Sequence, residues 1–135
     1  MGFTNFLETT LLDEVFGATN YIPPATLFVG LSTTPVTEAG VVTEPSGNGY
    51  TRVSVLNNTT NWPAATSGDP STKSNGTAIT FPQATGSWGT VVDFFIADAL
   101  TLGNILAYGT LTSSQAINTN DTASFAIGDL DITLE

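Results

Sequence analysis

The chain has 135 residues and carries two basic side chains, Arg52 and Lys73, against twelve carboxylates, a net charge of −10. It holds no histidine and no cysteine, which excludes a Ser-His-Asp triad, a thiolate nucleophile, imidazole or thiolate metal ligation and a disulfide framework. The acidity argues against nucleic acid and against anionic membrane surfaces as partners, since both are bound through clustered cations.

One segment reads as a helix, residues 4–17. Thr4 or Asn5 can cap it, with Glu8 completing a capping box, and Gly17 suits the position just past its end. Phe3, Leu7, Leu11 and Val15 recur at four-residue spacing, widened by Leu12 and Phe16, so the helix is expected to be amphipathic. Its apolar stripe serves either packing against the rest of the fold or docking to a neighbouring subunit. Pro23-Pro24 then forbid further helix.

From there the apolar period is that of strands. Residues 26–32 read as a well-buried strand, and 50–55 alternate cleanly with Arg52 on the face of Tyr50 and Ser54. Further strands are expected at 77–81, 91–97, 104–111, near Ala116-Ile117, at 122–127 and at 129–134. Residues 33–49 read as a long polar loop, and 57–76 as the most disorder-like stretch, with Trp62 pinning it back onto the fold. One helix followed by seven or eight short strands predicts a single mainly β domain over 1–135. Its expected form is a small antiparallel β-sandwich of jelly-roll or immunoglobulin-like type with one N-terminal amphipathic helix. With no membrane-length apolar run and no basic start of a secretion signal, the chain is expected to be soluble.

Candidate chemistry is sparse. Asp93, Asp98, Asp121, Asp129 and Asp131 offer oxygen ligands for calcium, but none has EF-hand spacing and turn carboxylates account for them. No cofactor and no metal are expected, and no enzyme activity. A small hydrolase acting through Asp93, Asp98 and Asp131 is the weakest alternative. The turn Gly86-Ser87-Trp88-Gly89 lacks the lysine and the following helix of a phosphate loop, so Trp88 is expected to plug one end of the sandwich. Arg52 invites either a structural pair with Glu44 or a contact with a neighbouring subunit. Only 10% of residues are charged, where about 25% is usual. Either a compositional bias of the host or a surface built to lie against other subunits explains this, because interface cores are poor in Lys, Glu and Asp. The candidate subunit contacts are Phe3, Leu7, Arg52 and Trp62.

Three stretches carry a resemblance. They are Val29-Gly30-Leu31-Ser32-Thr33-Thr34, continuing to Glu44-Pro45-Ser46-Gly47-Asn48-Gly49-Tyr50, then Thr85-Gly86-Ser87-Trp88-Gly89, and finally the C-terminal Gly128-Asp129-Leu130-Asp131-Ile132-Thr133-Leu134. In this order, and with the opening helix, they resemble a family of small tailed-bacteriophage virion proteins, variously called tail fibre, minor tail or capsid cement proteins. The resemblance spans nearly the whole chain and departs from it mainly at 57–76. It implies a virion structural protein made in the host bacterial cytoplasm. The first expectation is a capsid cement or decoration protein on the capsid exterior, a trimer or dimer contacting the major capsid protein. The alternative is a tail component (fibre, baseplate or minor tail protein) that contacts other tail proteins or a host receptor. Sugar binding in that case would draw on Trp62, Trp88 and Tyr50 as exposed aromatics.

Overall fold

The apolar residues concentrated at 26–32 and 91–97 build the centre of a five-stranded antiparallel sheet. A computed structural model describes residues 2–134. Its elements are β1 (Gly2–Phe3), α1 (Asn5–Gly17), β2 (Thr26–Ser32), β3 (Val53–Leu56), β4 (Ser71–Ser74), β5 (Ile79–Thr80), β6 (Gly89–Ala97), β7 (Ile105–Ile117), β8 (Ser124–Phe125) and β9 (Asp131–Leu134). The main sheet runs β1-β7-β6-β2-β3, and two ribbons, β4-β9 and β5-β8, stand apart from it. This is a mainly β, multi-sheet antiparallel protein of small-sandwich type with one helix near its N-terminus, as the sequence led us to expect.

β2 is an inner strand beside the central β6, with Val29 opposite Val53 on one side and Ile96 on the other. A strand flanked on both edges and covered on both faces must be apolar almost throughout. On one face Val29, Leu31, Val55, Val91, Phe94 and Ile96 pack beneath Trp62, Phe81, Trp88 and Leu130. On the other, Phe95, Ala97 and Ile105 lie under Val36 from the 33–49 loop. The ladder between β6 and β7 jumps: Asp93 faces Thr110, yet Val91 faces Gln115. This bulge resets the alternation, so that Val91 shares its face with Phe94 and Ile96 while Asp93 turns to the other side. Aromatic pairs stitch the first layer together, with Tyr50 edge-on to Trp88 at 5.2 Å and Phe94 edge-on to Phe125 at 5.5 Å.

Several boundaries differ from the sequence expectation. The strand expected over 50–55 is β3, shifted to Val53–Leu56, because Tyr50 and Arg52 turn their side chains to other partners. Nine strands form among the described residues, and β4 arises inside the stretch expected to be disorder-like, since β9 provides its partner. The two pieces expected at 104–111 and 116–117 are one strand, β7, interrupted only by the bulge. The capping box does not form. Thr4 is the N-cap, but its hydroxyl donates to the carbonyls of Ile105 and Leu106, and no side chain caps the helix. The left-handed residue after the helix is Ala18 (φ 54°), with Gly17 still helical.

Gly30 is required by close approach. A Cβ there would lie 2.2 Å from Cζ of the Phe95 ring, which is wholly buried. Gly30→Ala is expected to lower stability by about 3 kcal/mol, read as a shifted urea midpoint, and Phe95→Leu in the same chain should restore part of the loss.

Candidate functional site

The only ion pair among the described residues is Arg52 with Glu44. The guanidinium meets the carboxylate with two nitrogens, Nε at 3.0 Å from Oε1 and Nη2 at 2.9 Å from Oε2. Nη1 donates to the carbonyls of Ala99 (2.7 Å) and Leu102 (2.9 Å), and the group lies 5.0 Å over the Phe95 ring. The Tyr50 hydroxyl donates to the same carboxylate at 2.8 Å and accepts the Leu31 N–H at 3.0 Å. Arg52 is 5% exposed, so the structural pair with Glu44 is the interaction present, and four of its five N–H donors are taken up within the chain. Burial pushes the Tyr50 phenol well above its ordinary range; the Leu31 backbone contact opposes this, and the neighbouring Glu44 charge reinforces it.

The exposed apolar surface lies elsewhere. The helix α1 is fixed at its N-terminal end, where Thr4 N–H donates to Leu106 (2.9 Å) and Asn5 N–H to Glu38 (2.9 Å). Beyond that anchor it buries no residue: Leu7 and Leu11 are half-buried, whereas Val15 is 67% and Phe16 82% exposed. The stripe expected to pack inward is thus largely outside, and Ile22, just past the helix, is 78% exposed. Apolar patches of this kind mark contact surfaces.

Beside the helix runs an apolar groove of about 230 Å³ lined by Phe3, Leu7, Tyr21, Pro23 and Trp62. Three of the four expected contact residues (Phe3, Leu7 and Trp62) therefore share one site, and Arg52 lies outside it. Trp62 is itself buried, and its Nε1 has no hydrogen-bond partner among the described residues. Lys73 borders the same groove, its Nζ 2.8 Å from the Pro63 carbonyl. The sequence flagged the helix and Trp62 through their apolar character. It missed Tyr21 and Pro23, which carried no periodic pattern.

The aspartates hold turns and loops. Asp93 accepts the Val36 N–H at 2.7 Å, Asp98 that of Asn104 (2.7 Å), Asp121 that of Asn118 (2.8 Å) and Asp129 that of Ala126 (2.7 Å), while Asp131 pairs with Ser74. Among the described residues no three carboxylates gather into a metal site. The aromatics expected to meet a sugar are turned inward: Trp88 is buried with Nε1 on the Asn48 carbonyl at 2.8 Å, and Tyr50 is held by Glu44.

The chain is a small antiparallel β protein whose helix leaves apolar side chains exposed. The family model described as Podophage GP4 fiber I protein gp80 matches residues 2–133, and the chain belongs to that family. No curated protein matches the chain.

Two outcomes follow from the buried cluster. Arg52→Lys retains charge but loses the fork, and is expected to lower stability by about 3 kcal/mol in chemical denaturation. Because the folded Tyr50 phenol ionises above the unfolded one, near pH 10, stability should hold below that pH and fall as pH rises past it. Tyr50→Phe should flatten that decline in urea midpoints taken across the alkaline range. Tyr21 and Tyr108, also raised chiefly by burial, leave a residual slope.

Proposed function

We propose that this protein is a tail-fibre component that works by assembly, joining other copies of itself and other tail proteins through α1 and the adjoining groove. The family match over residues 2–133 carries the reading, because the family is described by a fibre protein. That description favours the tail over the capsid shell, so the cement role, with the major capsid protein as partner, becomes the lesser reading. The exposed helix supports the location of the contact. Phe16, Val15, Leu12 and Ile22 remain in water in the isolated chain, and burying them against a partner recovers about 25 cal/mol per Å² of apolar surface. Phe3 and Leu7 would form the inner wall of that contact, with Trp62 as its buried lining. Arg52 contributes indirectly, by holding the loop whose Glu38 carbonyl receives the first N–H of the helix.

Gold-labelled antibody on intact particles should mark the tail and leave the head bare, and quantitative gel staining should give some tens of copies per particle or fewer. Hundreds of copies on the head would sink the fibre reading. Leu12→Gln with Phe16→Ser should leave the unfolding midpoint within about 0.5 kcal/mol of the parent, as expected for exposed sites. It should also abolish self-association in sedimentation and incorporation into particles.

A further inference from the structure

Phe16 is the most exposed aromatic side chain among the described residues, at 82%. It follows Leu7, which lines the apolar groove, by about two and a half helical turns. Phe16 therefore points to the side of α1 opposite Leu7, about 14 Å further along the axis. It cannot turn back into the groove of its own chain. The ring and the groove are two separate surfaces carried on opposite sides of one helix.

The two are complementary in size and in charge. The groove measures about 230 Å³, and an apolar cavity of about 150 Å³ already holds a benzene ring. Of its lining residues only Lys73 is charged. The Lys73 ammonium gives one N–H to the Pro63 carbonyl and has no ion pair among the described residues, so two of its donors remain. Asp13 stands three residues before Phe16, hence beside it on the helix surface. It is exposed and lies toward the negative pole of the helix dipole, and the last turn has no basic residue to balance it. A carboxylate thus flanks the exposed ring, and an ammonium flanks the groove.

We propose that the partner of this site is a second copy of the chain, seated head to tail. Phe16 of one protomer enters the groove of its neighbour, and Asp13 beside it pairs with the neighbour's Lys73 at the mouth. Leu12, one turn before Phe16 and 58% exposed, widens the apolar contact. The inference rests on the assembly role proposed above and names the occupant of the same surface. Because ring and groove face opposite ways, two copies cannot satisfy both features of both chains at once. Each copy gives its ring to one neighbour and takes a ring from another. Such a contact closes into a ring of subunits or runs on as a filament, and does not stop at a two-fold dimer.

Sedimentation of the full 135-residue chain tests this. The parent is expected to form species larger than a dimer. Phe16→Ser and Lys73→Glu should each weaken self-association about tenfold or more. Asp13→Lys with Lys73→Glu in one chain should bring it back to within about threefold of the parent, because the charge pair is exchanged and not lost. Mixing the Phe16→Ser chain, whose groove is intact, with the Lys73→Glu chain, whose ring is intact, should give one-to-one dimers and nothing larger. An unchanged urea midpoint in each variant shows that it is folded. A parent that stops at a symmetric dimer, one that stays monomeric and joins only a different tail protein, or a charge exchange that restores nothing overturns the head-to-tail contact. Gold label on the tail alongside any of these results retains the fibre reading and removes this contact alone. Label on the head removes the fibre reading whatever the sedimentation shows.

Discussion

One guanidinium ties the outer loops of this protein to its sheet. Arg52, at the entrance to β3, grips Glu44 of the 33–49 loop with two nitrogens, fixes the 98–103 turn through the carbonyls of Ala99 and Leu102, and covers Phe95. Phe95 in turn occupies the space over Gly30 that any side chain would fill. A buried cation is tolerated only when its donors are matched, and here four of the five guanidinium N–H groups have acceptors at 2.7–3.0 Å. The loop it holds is pinned again where Asp93 takes the Val36 N–H. That loop then presents the Glu38 carbonyl to the first turn of α1. The direction in which the helix projects is thus set through hydrogen bonds that lead back to Arg52.

The arrangement separates two surfaces by their chemistry. At one end of the sheet the helix and groove expose apolar area, with the charges of Glu8, Asp13 and Glu14 on the same helix and Lys73 at the groove's border. At the other end the broken ladder of β7 gives a polar rim over an apolar floor. Turn carboxylates are locked by local N–H groups, so the acidity stays at the surface in fixed positions.

How far residues spoke for themselves depended on the range of the interaction. The helix, β2, and the core of β6 were legible because their periods lie within single short windows. The Arg52–Glu44 pair was only one of two readings, since a cation that near a carboxylate could equally have served a neighbouring subunit. The strand β4 was not legible: Ser71-Thr72-Lys73-Ser74 has no apolar alternation and becomes a strand only through β9, with Ser74 opposite Asp131. Trp88 is buried, in keeping with its expected part as a plug, and it and Tyr50, which the sugar-binding alternative would have exposed, are drawn inward by distant partners, Asn48 and Leu31.

Taken alone, the amino-acid order settled the mainly β class, the single helix near the N-terminus and the absence of imidazole and thiol chemistry. It also marked the family, because these follow from composition and from neighbours close in the chain. Tertiary structure alone decided that the helix leaves its apolar side in water, that Phe3, Leu7 and Trp62 meet in one groove, and that β7 bulges to open a cleft. Each of these depends on which distant segments compete for the same buried surface. A local period states that a side chain is apolar, and only the packed sheet determines whether room remains to cover it.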